Sequence, residues 1–334
     1  MVNERIKFYK HLMNGFSYML PFVVAGGLLI AFSSYGFFSN EFPYLNEVGE
    51  LILSYTYPVL AAFIAFSIAD RPGIAVGVAA GALASLGESG FIGAIIGGFV
   101  AGYIVLFLKI VFKKLPKSLS GTKPILLFPF FGVLLISLAM LGINYIISPI
   151  SLWLEQTIVN LEGIPLLITS MILGGLMAFD LGGPVNKISY MIGVVSVVHA
   201  HDSIIMASIM VAGMTPPLAL WLSVLLFKKE FTETEIKLGK QNLGTGLSFI
   251  SEGAIPFVKI YKKKVHLPII IGSMFAALVI AMFQTSAPAP HGGIFVIFLM
   301  THWYGFPIAL ISGTIMSSIL IKIMFIIGES HERN

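Results

Sequence analysis

Cysteine is absent from this sequence, so disulfides, a thiol nucleophile and thiolate metal sites are excluded. Charge is scarce as well. Only 11% of the 334 residues are Asp, Glu, Lys or Arg, against about 25% in a typical soluble domain. A chain of this length therefore lacks the polar residues to cover a water-exposed surface. It has instead a 57% hydrophobic content, a mean hydropathy of +0.94 and unbroken apolar runs such as Ile125 to Ile147 and Leu267 to Phe283. The alternating segments of about ten residues that build an outer-membrane barrel are missing. An all-α polytopic membrane protein is expected. No His-Glu-x-x-His, Gly-x-Ser-x-Gly or phosphate-binding Gly-Lys-Ser/Thr motif is present, so an intramembrane protease or an ATP-driven pump would lack its machinery. No metal site and no cofactor are expected.

The basic residues are grouped. They fall at Arg5/Lys7/Lys10, at Arg71, at Lys109 to Lys123, at Lys187, at Lys228 to Lys240, at Lys259 to Lys264 and at Lys322 and Arg333. Acidic residues such as Glu41, Glu47, Glu50, Glu155 and Glu162 lie in the alternate connections. The positive-inside rule puts the basic groups, and with them both termini, on the cytoplasmic side of a cell membrane. That distribution leaves no basic patch for nucleic acid, despite an isoelectric point near 9.1. The N-terminal segment has no small-residue cleavage pattern and reads as a retained helix.

A helix needs about 20 apolar residues to cross the hydrocarbon core. Spans are expected over Phe16–Phe37, Leu51–Ala69, Phe91–Phe112, Ile125–Ile147, Ser203–Phe227, Leu267–Gln284 and Tyr304–Ile327. Shorter apolar segments run over Ile74–Gly87, Ile164–Phe179 and on to Val198, for about nine or ten transmembrane helices. Glycines 93, 97, 98 and 102 permit close helix contact. Residues 148–163, with Trp153, form an amphipathic interfacial linker between halves at 1–147 and 164–334. Lys228 to Asn242 reads as a polar loop. Two Gly/Pro-broken segments, 243–257 and 286–300, are too irregular to cross and are expected as re-entrant hairpins.

Those hairpins carry isolated ionisable groups. Glu252 lies in Ser251-Glu252-Gly253-Ala254-Ile255-Pro256, and His291 in Ala289-Pro290-His291-Gly292-Gly293. Such groups at membrane depth are expected to line a cavity, and paired broken segments point to a transporter's binding site. A carboxylate accepts from two adjacent hydroxyls at once, which suits a sugar. Asn186 both donates and accepts. Asp180 and Lys187 flank Gly182-Gly183-Pro184 and could pair with each other at a helix end. His199, His201 and Asp202 read as a polar outer turn rather than a metal cluster.

At these residues the sequence resembles a known family. Asp180-Leu181-Gly182-Gly183-Pro184-Val185-Asn186-Lys187, Ile250 to Phe257 and Ala289 to Phe295 are similar to the fructose-type enzyme IIC of the bacterial phosphoenolpyruvate:sugar phosphotransferase system, as are Asp70-Arg71-Pro72-Gly73 and Met210 to Pro217. The resemblance covers essentially the whole chain, with Ser251 where threonine is expected. It implies a sugar permease of elevator type in the bacterial cytoplasmic membrane. Residues 1–147 would form a homodimer scaffold and 164–334 the moving transport half. It also implies a fructose-like hexose or hexitol as substrate, bound by Asp180, Asn186, Lys187, Ser251, Glu252, Gly253, His291, Gly292 and Gly293, with Glu252 and His291 catalytic. The phosphoryl group would come from a separate phosphorylated enzyme IIB, charged by IIA, because this chain has no cysteine to carry it. The alternative is a proton- or ion-coupled secondary sugar transporter, with Glu252 as proton carrier.

Overall fold

Backbone groups in hydrocarbon must be satisfied within the chain itself, which favours helices throughout. The computed structural model describes residues 2–33, 42, 44–116, 121–200 and 202–332, and it is helical nearly throughout. Extended pairing among the described residues is confined to two isolated bridges, Ser203 with Ala287 and Ser286 with Thr301. Among the described residues seven helices are long and apolar enough to cross a membrane, and Pro72–Leu86 and Gly163–Phe179 are shorter apolar helices. The protein is thus an all-α polytopic membrane protein. The chain divides into two compact units, Met1–Thr157 and Ile158–Asn334.

The first unit contains α1 (Val2–Ser33), α2 (Leu45–Ser54), α3 (Thr56–Ala69), α4 (Pro72–Leu86), α5 (Gly90–Val111) and most of α6 (Phe128–Val159). Its packing is backbone-close. Gly73, Gly77 and Gly81 form a stripe along one face of α4, where a Cβ would sit 2.5, 2.6 and 2.3 Å from the carbonyl oxygens of Ala65, Ala61 and Tyr57 on α3. No side chain fits there, so dispersion contacts between bare backbones hold the pair. The glycines of α5 serve the same end, Gly98 against Ala61 and Gly102 against Ile68. Two boundaries differ from expectation. Residues 148–159 continue α6 through Pro149 instead of forming a separate stretch. The second span begins at Leu45 and is interrupted at Tyr55.

The second unit contains α7 (Gly163–Phe179), α8 (Pro184–Ala200), α9 (Ile204–Leu226), α10 (Glu233–Leu247), α11 (Ile255–Tyr261), α12 (Lys263–Met282) and α13 (Gly305–Glu332). Helix α9 is its axis, with α7, α8, α10, α12 and α13 packed around it. Within its spanning window 78% of residues are buried, against 22% for α6. Pro216 and Pro217 lie inside α9. Proline has no N–H, so the carbonyl four residues before Pro216, on Ala212, loses its helical donor. Ser273 of α12 replaces it, its hydroxyl donating to that oxygen at 2.9 Å. Ser318 of α13 donates likewise to Ala219.

The polar stretch 228–242 is not a loop. Thr232-Glu233-Thr234-Glu235 forms a capping box that starts α10. Glu235 Oε2 accepts from the Thr232 N–H at 2.7 Å and from the Tyr261 hydroxyl at 2.8 Å. Burial and the Glu235 carboxylate raise the Tyr261 pKa above its ordinary value, so the phenol remains a donor at neutral pH. Lys322 of α13 pairs with Glu230, and Phe231 packs among Phe257, Tyr261 and Phe325. These contacts fix α10, α11 and α13 around the entry to the first broken segment.

Candidate functional site

Helix α7 ends at Phe179, and the chain reverses through Leu181 (φ 47°) and Gly182 (φ 100°). The Asp180 carboxylate accepts from the backbone N–H groups of Val185 at 2.8 Å and Asn186 at 2.9 Å. It thereby satisfies two orphan donors at the start of α8, with Pro184 as the first helical residue, where a missing N–H costs nothing. Asp180 and Lys187, considered as partners of each other, are therefore separately engaged. Asp180 caps the helix, and Lys187 reaches a different segment.

That segment is the break between α10 and α11. After Leu247 the chain passes through Phe249 (φ 62°) into a 3₁₀ turn at Ser251–Ala254. Lys187 Nζ lies 3.3 Å from Glu252 Oε1. The sequence alone shows no basic residue beside Glu252; the fold supplies one from 65 positions away. Asn186 Nδ2 donates to the Met177 carbonyl at 2.6 Å and reaches the Ser251 hydroxyl at 3.4 Å. Two of the segments singled out in the sequence are thus joined side chain to side chain. Gly182 makes the approach possible, since a Cβ there would lie 2.4 Å from Glu252 Oε1. It needs both the positive φ and the empty space. On the other flank, a Cβ on Gly253 would lie 2.6 Å from Asn242 Oδ1 and from Thr245 Oγ1.

The Glu252 side chain is 45% exposed and that of Lys187 only 11%. A pair with one end in solvent contributes at most about 1 kcal/mol, so its consequence is positional. One carboxylate oxygen is held by Lys187, and the other remains available to an incoming donor.

The third segment joins through aromatic rings. The His291 ring lies 5.0 Å from that of Phe249 and 6.2 Å, nearly perpendicular, from that of Tyr190. The Gly292 N–H donates to His291 Nδ1 at 2.8 Å. That bond puts the ring proton of neutral His291 on Nε2, where it can be donated. A Cβ on Gly293 (φ 53°) would strike the Leu247 carbonyl at 2.3 Å, so only glycine lets this segment approach residues 247–249. No hydrogen bond joins Glu252 and His291 directly; both meet α8, Glu252 at Lys187 and His291 at Tyr190.

Asp202 secures the base of this second broken segment. Its Oδ2 accepts from the hydroxyls of Ser286 at 2.6 Å and Thr301 at 2.7 Å. The bridges of Ser203 with Ala287 and Ser286 with Thr301 pair the same strands of chain. His201, and the side chain of His199, lie outside the described residues. Sequence reasoning missed Tyr190, Phe249 and this role of Asp202. Tyr190 was within reach, since it lies three residues beyond Lys187 and so on the same helix face.

Seven long apolar helices, with a polar site assembled on glycine- and proline-broken segments of one compact unit, define a polytopic membrane protein with an internal polar site. Residues 13–261 match the family described as Phosphotransferase system, EIIC. The chain is similar to the PTS system fructose-specific EIIABC component of Bacillus subtilis (strain 168), 37% identical over 331 residues, covering 95% of this chain and 52% of that protein. It is similar to the PTS system fructose-specific EIIB'BC component of Escherichia coli (strain K12), 40% identical over 326 residues, covering 93% and 57%. It is also 36% identical over 282 residues to the Fructose permease IIC component of Bacillus amyloliquefaciens, covering 84% of this chain and 92% of that one. The chain belongs to the phosphotransferase system EIIC family. It spans about half the length of the Bacillus subtilis and Escherichia coli relatives it matches.

Proposed function

We propose that this chain is the permease part of a phosphotransferase system and imports fructose, or a hexose or hexitol of similar shape, as the sugar phosphate. The observation that carries the reading is the union of Asn186-Lys187 with Ser251-Glu252 across 65 residues, in a chain of this family whose relatives are named fructose-specific. Glu252 binds a sugar hydroxyl through the carboxylate oxygen not held by Lys187. The donor is a phosphorylated IIB cysteine, itself charged by IIA. The sugar oxygen attacks phosphorus, the O–P bond forms, the S–P bond breaks, and the thiolate leaves. The hydroxyl proton passes to Glu252 as general base, and Lys187 adds positive charge beside the transferring group. Asp180 holds the turn that presents Asn186 and Lys187. His291 donates Nε2–H to the sugar from the opposite segment.

All these residues belong to the second compact unit, which supports a transport half that carries the sugar in elevator fashion. Pairing of two copies through residues 1–147 belongs to the same reading. So does the cytoplasmic placement of both termini, for which Arg5, Lys7 and Lys10 speak.

The test is phosphoenolpyruvate-dependent phosphorylation of radiolabelled fructose by membranes containing the chain, with the general phosphotransferase proteins and a cognate IIA and IIB. Product that requires IIB and disappears with Glu252→Gln is expected. Fructose accumulation driven by a proton gradient, with no phosphorylated product from any hexose or hexitol, would overturn the reading.

A further inference from the structure

The Tyr190 hydroxyl is buried without a hydrogen-bond partner among the described residues, as are Asn242 Nδ2 and one oxygen of Asp202, whose other polar atoms lie against the site or are bonded there. The residue is 3% exposed, and no group among the described residues hydrogen-bonds the phenolic oxygen. A buried hydroxyl left unpaired is costly, and each such group in a folded protein calls for an explanation. Thr56, Ser170, Thr314 and Ser317 also have unpaired buried hydroxyls. These are short side chains on helices, and rotation about χ1 can turn each toward a carbonyl three or four residues earlier in the chain. A tyrosine has no such recourse, because its oxygen stands a full ring length from the backbone.

Its surroundings point one way. Tyr190 lies one turn beyond Lys187 on α8, and Lys187 pairs with Glu252. Its ring is 5.8 Å from Phe249 and 6.2 Å from His291, and those two rings are 5.0 Å apart. Phe249 holds a positive φ of 62°, a strained conformation for a bulky residue of the kind that gathers at functional sites. The three rings form a wall joining all three segments of the site. Sugars present an apolar C–H face and a ring of hydroxyls, and these rings with the Tyr190 O–H and His291 Nε2–H match both in chemistry. Tyr190 and Phe249 are closed over, 3% and 7% exposed, so a sugar meets them when the broken segments part.

We infer that Tyr190 is a further substrate-contact residue of this site, its phenolic O–H hydrogen-bonding one particular sugar hydroxyl while the sugar's C–H face lies on the Tyr190–Phe249–His291 wall. The inference rests on the sugar-permease reading above. It assigns Tyr190 to selection among hydroxylated ligands, since a site built to pair a hydroxyl discriminates against an analogue that lacks it.

The experiment measures equilibrium binding of fructose, mannitol, mannose and a set of monodeoxy-fructoses to the full chain in lipid nanodiscs, for wild type and Tyr190→Phe. Tyr190→Phe is expected to weaken fructose binding about 3- to 10-fold, the worth of one neutral hydrogen bond. Wild type should discriminate against one monodeoxy analogue by a similar factor, and the variant should treat that analogue and fructose alike. Unchanged fructose affinity overturns the inference. So does a uniform loss across the set with every deoxy preference kept, which marks a structural residue. Should Tyr190→Phe not fold, 3-fluorotyrosine at position 190 keeps the shape and makes the phenol a stronger donor. It is then expected to change the Kd of fructose and leave that of the one insensitive analogue unaltered, and an equal change across the set overturns the inference. Wild type binding none of these sugars overturns the permease reading together with this one. Sugar binding by wild type with an indifferent Tyr190→Phe overturns this one alone.

Discussion

Lys187 is far more buried than its partner Glu252, and that asymmetry separates what each substitution does. Lys187→Met removes the charge that fixes Glu252 Oε1 and leaves a carboxylate able to swing into solvent. With Glu252 as the proposed general base, sugar phosphorylation should fall by at least about tenfold, as expected when a reacting group loses its positioning. Lys187→Arg should recover only part of it, because a planar fork does not replace a point charge at 3.3 Å. Gly182→Ala makes a sharper case. The added methyl meets Glu252 Oε1 at 2.4 Å on a backbone with φ of 100°. Transfer activity should be lost, while a thermal melt in detergent shifts far less than activity does. An unchanged rate in Gly182→Ala would show that the close approach of residues 180–187 to Glu252 is not needed for turnover.

At the scale of elements, two helix interruptions depend on single side chains. The Ala212 carbonyl opposite Pro216 has Ser273 as its donor. Ser273→Ala should cost about 1–3 kcal/mol, the penalty for an unsatisfied buried acceptor, measured as a lower midpoint in a denaturation series. The second broken segment is tied at its base by Asp202 to Ser286 and Thr301. In Asp202→Ala, faster amide hydrogen exchange is expected at Ser286, Ala287 and Thr301, with α12 and α13 unaffected. Thr232-Glu233-Thr234-Glu235 has the capping-box spacing, yet its polar setting reads as loop. The helix forms because Glu235 and Tyr261 tie it to the rest of the unit, and Thr232→Ala should cost about 1 kcal/mol of stability.

Over the whole molecule, the two units are held by different means. The first relies on backbone contact between helices, with Gly77 against Ala61 at the middle of the stripe. Gly77→Leu should therefore destabilise by more than about 1–3 kcal/mol, since α3 and α4 must separate to admit the side chain. The expected readout is loss of folded protein from detergent extracts. The second unit relies on a buried central helix with hydrogen bonds across its neighbours. All of the candidate site lies there.

The helical membrane class, the approximate spans and the three broken segments with Asp180, Glu252 and His291 were legible in the sequence. Composition and the run length needed to cross hydrocarbon leave few other arrangements. Which charged group meets which was not. Lys187 bonds Glu252 and not Asp180 because Gly182 turns the chain through a conformation, and into a space, that admit no side chain. Tyr190 joined the site because α8 presents it one turn above Lys187 to two segments that lie 59 and 101 residues further along the chain at Phe249 and His291. Local patterns report what each segment must bury. Only the folded chain decides which distant segments share that burial, because pairing depends on close approach in space rather than on spacing in sequence.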